Sequence, residues 1–110
     1  RLNALAAAAR RYGMTLGYHN HHWEFASRID GRPAHDLLFA ELDPDVFAEI
    51  DTYWARVGGA DPVAVVAGFA GRAPLLHLKD GPLDDPRSPM TALGTGRMDI
   101  PALLAVSCAT

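Results

Sequence analysis

Two kinds of apolar pattern alternate along the chain, and the first of them predicts helices. In residues 1–12, apolar side chains recur at helical spacing in an alanine-rich stretch, and Gly13 follows as a candidate C-cap. Asp61 and Pro62 are residue types favoured at the N-cap and first position of a helix. Helices are therefore predicted over residues 1–12, 35–42 and 61–70, and from about residue 100 onward.

The second pattern is a short, nearly continuous apolar run, which is typical of a strand buried on both faces. Such runs cover residues 14–18, 46–50 and 75–78. A predicted helix lies between each run and the next, so the order of elements is that of βαβ units. This order predicts a parallel sheet with helices packed on its faces. The polar segments 20–33 and 80–96 contain Gly and Pro and are predicted as loops.

The number of strands indicates that the 110 residues are part of a larger fold. Three predicted strands cannot close a barrel, and such a sheet standing alone would leave two edges exposed. Apolar side chains that face water cost about 25 cal/mol per Å2. We therefore expect the isolated chain to be marginally stable or prone to associate, as a homo-oligomer or an aggregate.

Composition and charge narrow the functional classes. The net charge is −3, Lys79 is the one lysine and nine arginines are scattered, so no basic stripe suits a nucleic-acid backbone. No apolar stretch approaches the roughly 18 residues of a membrane span, and the amino terminus lacks the order of a signal peptide. The one cysteine, Cys108, excludes an internal disulfide and fits a reducing compartment. We expect a cytoplasmic protein without nucleic-acid or membrane partners.

Residues suited to chemistry follow the ends of the predicted strands. In parallel α/β folds, functional residues gather at the carboxyl ends of the strands. His19, Asp51 and His77 stand at these ends, and no Ser or Cys nucleophile does. Imidazole and carboxylate together suit Mn, Fe, Co, Ni or Zn better than Ca or Mg alone. The three residues are therefore candidate ligands of a divalent metal.

Neighbouring aromatic residues carry a weaker signal. Trp23 and Trp54 fall beside the candidate ligands and offer apolar faces for a sugar ring, although tryptophans more often pack in a core. His22 and His35 are interpreted as packing or surface residues, because a lone histidine usually has that role.

Four motifs resemble one known family in their order and spacing. They are residues 17–25 (GYHNHHWEF), 50–54 (IDTYW), 77–80 (HLKD) and 93–96 (LGTG). Together they resemble the sugar phosphate isomerase/epimerase family of the xylose isomerase-like TIM-barrel superfamily, which also contains inosose dehydratases, ketose 3-epimerases and endonuclease IV. The resemblance implies an α/β fold that is a portion of a (β/α)8 TIM barrel, roughly strands five to seven with flanking helices. Residues 1–110 would then be the C-terminal half of the domain without its last strand.

The resemblance also implies a metal site. Members of the family usually hold a divalent metal, such as Mn, Co, Zn or Mg, with Glu, Asp, His and Glu from the last four strands. The Asp corresponds to Asp51 and the His to His77, whereas His19 stands at the position of the first Glu. The last Glu would follow Thr110, so we expect an incomplete site, which puts the activity of a chain of these residues alone in doubt.

The implied substrate is a small sugar or polyol, and the implied reactions move a proton or a hydride next to its carbonyl. Glu24 is the available carboxylate base, and His21 could serve as the base, a proton shuttle, a support for the ligands or a ligand in place of His19. Lys79 either neutralises an oxyanion or pairs with Asp80. Because His19 replaces a carboxylate, we expect isomerisation or dehydration of a keto-polyol rather than 3-epimerisation.

Two alternatives stay open. One is a truncated remnant without catalytic activity, because the last strand is needed to complete the site. The other is a nuclease of the endonuclease IV kind, which the acidic net charge disfavours. Trp54 stands where that enzyme has a histidine after the Asp, and residues 90–92 contain no Asp-x-His. A reading frame that continues past Thr110 into a strand with a Glu would favour the enzyme over the remnant.

Overall fold

A computed structural model describes residues 1–109, in which short helices and strands alternate along the chain. The helices are α1 (Leu2–Arg10), α2 (His22–Ala26), α3 (Ala34–Glu41), α4 (Thr52–Val57), α5 (Pro62–Gly68) and α6 (Ile100–Ala109). The strands are β1 (Gly17–His19), β2 (Arg28–Ile29), β3 (Arg32–Pro33), β4 (Phe47–Asp51) and β5 (Leu75–His77). Within this described part, none of the helices has both the length and the apolar character that crossing a bilayer would require.

Strand β4 lies at the centre of a three-stranded parallel sheet with the order β1-β4-β5. This arrangement confirms the predicted α/β architecture and agrees with a portion of a barrel. Within residues 1–109, β1 and β5 pair with no further strand of this sheet, so both edges are open. The prediction that the strands are buried on both faces holds for only one face of β4. Ala48 and Ile50 on that face are 1% and 0% exposed, whereas Phe47 and Glu49 on the opposite face are only half-buried.

One hydrophobic core covers the buried face of β4. It includes Ile50 of β4, Phe39 of α3, Val66 of α5 and Leu103 of α6. Burial of a side chain of this size contributes about 1.5–3 kcal/mol relative to exposure. The core thus holds the helices on one face of the sheet and leaves the other face to the residues that carry chemistry.

Arg72 fixes the connection that leads into the central strand. Its guanidinium donates hydrogen bonds of 2.9–3.2 Å to the backbone carbonyl oxygens of Phe39, Leu42, Asp43 and Val46. The Phe39 carbonyl belongs to the last turn of α3, where a helix leaves acceptors without intrahelical partners, and the other three carbonyls lie between α3 and β4. Arg72 also lies over the Phe39 ring, 5.2 Å from its centroid. One side chain therefore joins the end of α3 to the start of β4.

The loop prediction for residues 20–33 is wrong, because this segment contains α2 and a hairpin of β2 and β3. Asp30 and Gly31 form the turn with φ of 51° and 80°. Two consecutive positive φ angles suit a two-residue hairpin turn, for which Asp-Gly is a favoured sequence. The apolar pattern missed these elements because a five-residue helix and two-residue strands are too short to show a period.

Candidate metal centre

The structure brings the three predicted ligands together at the carboxyl ends of β1, β4 and β5. His19, Asp51 and His77 each offer one ligand atom, and these atoms all lie within 4.8 Å of one another. His19 Nε2 is 3.4 Å and His77 Nδ1 is 3.5 Å from Asp51 Oδ2. One carboxylate oxygen is thus faced by two imidazoles.

The strand register explains this convergence. Asp51 lies directly opposite His77 in the β4–β5 pair, and His19 lies opposite Glu49 in the β1–β4 pair. Side chains directly opposite each other share a face, and so do residues two apart on one strand. All three ligands therefore project from the face of the sheet that the hydrophobic core leaves uncovered.

The Asp51 carboxylate is buried and only half satisfied by hydrogen bonds. Its side chain is 0% exposed, and Oδ1 accepts a hydrogen bond of 3.0 Å from the Trp54 backbone N–H at the start of α4. Oδ2 is buried without any donor in hydrogen-bond geometry, although Lys79 Nζ lies 2.7 Å away as an ion pair. A buried anionic oxygen needs a cation. Two imidazoles and this oxygen form a donor set that fits Zn, Co or Mn.

Asn20 holds the Asp51 backbone, a role that the sequence analysis did not assign. Asn20 is 1% exposed; its Nδ2 donates to the Asp51 carbonyl oxygen at 3.1 Å, and its Oδ1 accepts from the Asp51 N–H at 2.9 Å. These bonds continue the pairing of β1 with β4 beyond His19, the last residue of β1. The sequence did contain a signal for this role, because Asn20 is a polar residue directly after a strand that ends in a candidate ligand.

Lys79 pairs with Asp51 and not with Asp80. Besides its contact with Asp51 Oδ2, its Nζ lies 5.1 Å from the centroid of the Trp54 ring. Trp54 is half-buried and also neighbours the His22 ring at a centroid distance of 5.5 Å. Trp54 and Lys79 therefore border the ligand cluster, while His22 packs beside Trp54.

His21 and Trp23 extend this border on the side of β1. The His21 ring stacks on the Trp23 ring at 4.3 Å with an interplanar angle of 4°, and it meets the His19 ring edge-on at 5.4 Å. Trp23 is 51% exposed. An exposed indole and an imidazole thus stand next to a candidate ligand.

Glu24 lies outside the ligand cluster and is engaged in local structure. Its buried carboxylate accepts from the Tyr18 hydroxyl at 2.7 Å and from the His21 backbone N–H at 3.0 Å, which caps α2. Burial, followed by the hydrogen bond and charge of Glu24, raises the pKa of Tyr18 to about 12. Both carboxylate oxygens of Glu24 are therefore occupied.

Asp80 organises the loop that follows β5, a role that was not predicted from the sequence. It is 1% exposed, and its carboxylate accepts hydrogen bonds of 2.8–3.0 Å from the backbone N–H groups of Gly81, Gly94, Gly96 and Met98. Burial by itself would raise the pKa of Asp80, but the four N–H donors outweigh it and lower the pKa. Of the two Gly residues of the LGTG motif, Gly96 is needed because a Cβ there would overlap the Asp80 carboxylate, and Gly94 has a φ of 81°, which favours glycine.

His35 lies apart from this site, as its interpretation as a packing residue implies. It is 1% exposed and both ring nitrogens lack hydrogen-bond partners. Its ring centroid is 4.3–5.3 Å from those of Phe25, Phe39 and Phe69. Burial lowers the pKa of His35, against an opposing effect of Asp36.

Comparison with known proteins agrees with this fold and with the resemblance of the motifs. Two crystal structures named as sugar phosphate isomerase/epimerases, both from Parabacteroides distasonis ATCC 8503, are similar over 97% of this chain. One has a TM-score of 0.80 at 26% identity and the other 0.78 at 27% identity. The chain spans 38% and 39% of their lengths.

Curated proteins provide no match to the chain. The model of the family described as xylose isomerase-like TIM barrel, in contrast, matches residues 1–106. That match covers nearly the whole chain and includes all three strands that carry the candidate ligands. The chain therefore belongs to the xylose isomerase-like TIM-barrel family.

Proposed function

We propose that His19, Asp51 and His77 bind one divalent metal ion, and that the protein carrying this chain acts on a small sugar or polyol next to its carbonyl group. The observation that carries the proposal is the buried Asp51 Oδ2, which two imidazole nitrogens face at 3.4 and 3.5 Å and whose charge partner is the Lys79 ammonium group at 2.7 Å. The family match and the names of the two similar structures support a carbohydrate substrate.

Side chains around the cluster would bind and orient the substrate. A bound divalent metal would polarise a carbonyl oxygen and stabilise negative charge on it, worth several kcal/mol. The exposed ring of Trp23 and the half-buried ring of Trp54 offer apolar faces for the carbon side of a sugar. Lys79 would neutralise a substrate oxygen that gains charge during proton removal.

His21 is the better candidate for the base, and Glu24 the weaker one. The His21 ring lies 5.4 Å from the His19 ring, and imidazole is the side chain most often used for proton transfer. Glu24 would first have to give up its bonds to the Tyr18 hydroxyl and the His21 N–H. We propose that His21 moves the proton and that Glu24 holds α2 in place.

The residue types at the site favour chemistry with a single base. His19 brings no negative charge where the family usually has a Glu, so the ligands here leave more positive charge on a bound ion. His19 also cannot act as a second carboxylate base on the opposite face of a substrate carbon, which 3-epimerisation requires. We therefore propose isomerisation, or dehydration of a keto-polyol of the inosose type.

Incubation with substrates in deuterated water tests this proposal. The protein carrying this chain is mixed with Mn and a panel of ketohexoses and keto-inositols, and products and deuterium content are followed by NMR and mass spectrometry. Isomerised or dehydrated products are expected, with a loss of at least tenfold in rate for His21→Gln and little change for the matched exposed variant Arg87→Gln. Rapid 3-epimerisation of free ketoses, with no dehydrated product, would contradict the proposal.

A further inference from the structure

Lys79 occupies the same carboxylate oxygen that a metal would need. Its Nζ lies 2.7 Å from Asp51 Oδ2, the oxygen that His19 and His77 also face. Lys79 follows His77 by two residues, and its side chain, 23% exposed, reaches the buried carboxylate from the rim of the site. The ammonium group therefore compensates the buried charge that would otherwise stand alone.

Trp54 gives the ammonium group a second contact. Nζ lies 5.1 Å from the centroid of the Trp54 ring, a distance at which a cation is attracted to the face of an indole. The Trp54 backbone N–H binds the other oxygen of Asp51. Carboxylate and ring are thus fixed relative to each other, and the flexible lysine stem can leave them without disturbing either.

We propose that Lys79 is a built-in counter-ion of Asp51, which a divalent metal displaces. This inference rests on the proposed metal site. A divalent ion bound to the same oxygen would lie close to the ammonium group, and two like charges repel strongly in a buried site. Without metal, Lys79 neutralises Asp51 and keeps its buried charge tolerable. When metal binds, the ammonium group is released beside Trp54, where it can neutralise a substrate oxygen.

Metal affinity provides the first test. Zn2+ binding to the protein carrying this chain is measured by calorimetry at one pH for the wild type, Lys79→Met and Lys79→Arg. Lys79→Met should bind Zn2+ on the order of tenfold more tightly, because the competing charge is gone, whereas Lys79→Arg keeps a cation and should bind no more tightly than the wild type. Equal or weaker binding by Lys79→Met would overturn the inference.

Chemical modification reads the displacement directly, because Lys79 is the one lysine of this chain. The rate at which an acylating reagent modifies Lys79 is measured by peptide mass mapping, with and without Zn2+. Zn2+ should accelerate modification severalfold in the wild type. In Asp51→Asn the rate should be high and independent of Zn2+, since the ion pair is already lost. An unchanged rate in a wild type that binds Zn2+ would overturn the inference.

The two measurements also separate this inference from the metal site itself. If neither the wild type nor Lys79→Met binds Zn2+, the proposed metal site is wrong, and the exchange of Lys79 for a metal at Asp51 is wrong as well. If both bind equally and Lys79 stays protected, the site stands and the exchange is wrong. Binding by Lys79→Met alone would support both, with Lys79 as a strong competitor.

Discussion

Asp51 and Asp80 are both buried aspartates next to the ends of neighbouring strands, and their carboxylates are used in opposite ways. Asp80 accepts four backbone N–H groups, two at each oxygen. Asp51 accepts one backbone N–H group at Oδ1, and its second oxygen faces two imidazoles and the Lys79 ammonium group instead of backbone donors. The exposed fractions, 0% for the Asp51 side chain and 1% for Asp80, do not distinguish them.

The partners of each carboxylate show what it does. A hydrogen bond to a charged group contributes about 1.5–3 kcal/mol, so the bonds to Asp80 stabilise the loop that it organises. A buried polar atom without a donor costs about 1–3 kcal/mol, and more when it is charged. At Asp51 the Lys79 ammonium group offsets that cost, and the two imidazoles beside the same oxygen make it suited to the proposed exchange of this ammonium group for a metal ion. Burial alone therefore identifies neither a ligand nor a structural residue.

The largest effect should come from removing the charge of Asp51. Asp51→Asn keeps the size of the side chain and should weaken Zn2+ binding at least ~100-fold, about 2.8 kcal/mol. His77→Ala should lose metal as well, while Asp80→Asn should bind Zn2+ normally once folded. Calorimetry and metal content after dialysis measure these changes. Undiminished metal content in both Asp51→Asn and His77→Ala would contradict the proposal that Asp51 and His77 are metal ligands.

The free energy of unfolding, in contrast to metal binding, should depend on Asp80. The amide nitrogen of Asp80→Asn cannot accept hydrogen bonds, so two backbone N–H groups lose their partner, and we expect a loss of about 2–4 kcal/mol in the free energy of unfolding. Asp85→Asn is a matched control, since Asp85 forms a pair with Arg87 on the surface, where ion pairs contribute little to stability. Denaturant titrations give both values, and equal losses in the two variants would refute the role of Asp80.

The difference in stability between the wild type and Asp80→Asn should depend on pH. Because the folded pKa of Asp80 lies below its ordinary value of 3.8, its contribution to stability is present above that pH. It is lost as the pH falls through the folded pKa. The gap in stability between wild type and Asp80→Asn should therefore be constant near neutral pH and narrow below pH 3.8. A gap that stays constant in acid would show that charge is not what Asp80 contributes.

A smaller loss is expected from crowding the Asp80 carboxylate. A methyl group at Gly96 overlaps Asp80 and the Gly81 N–H, so Gly96→Ala should cost about 1–3 kcal/mol. At Gly68 an added methyl group meets no atom within 4 Å, which makes Gly68→Ala the matched control with little or no loss. Thermal unfolding compares the two variants, and similar melting temperatures would contradict the tight fit at Gly96.

The smallest effect is expected at His35. This residue shows that buried polar atoms without hydrogen-bond partners do not by themselves indicate a metal site. Its nitrogens are also buried without partners, but aromatic rings surround it and no candidate ligand does. His35→Leu should change stability by less than about 1 kcal/mol near pH 7.5, because an apolar residue of similar size leaves nothing unsatisfied.

The sign of the pH effect separates His35→Leu from the wild type. The folded pKa of His35 is below its ordinary value of 6.5, so the unfolded chain takes up the proton first. The wild type should therefore lose stability as the pH falls from 6.5 toward the folded pKa, and His35→Leu should not lose that part. Parallel pH profiles would show that His35 takes up its proton as readily in the folded protein as in the unfolded chain.

The sequence by itself predicted the parallel α/β architecture and the three residues that meet at the candidate metal centre. His19, Asp51 and His77 end three separate apolar runs, and parallel strands bring their carboxyl ends to one edge of a sheet. The apolar period predicted the long elements in the same way. It could not predict α2 or the β2–β3 hairpin, which are too short to show a period and form where tertiary contacts hold them.

Tertiary structure alone decided how the polar residues divide between support and chemistry. Lys79 is adjacent to Asp80 in sequence, yet it pairs with Asp51, because the segment just after β5 brings its side chain to the end of β4. The partners of Asp80 include backbone N–H groups up to 18 residues away, and Asn20 holds the Asp51 backbone 31 residues away. Backbone groups are the same at every residue, so the sequence has no mark for which of them a carboxylate or amide will bind; only the path of the folded chain determines that.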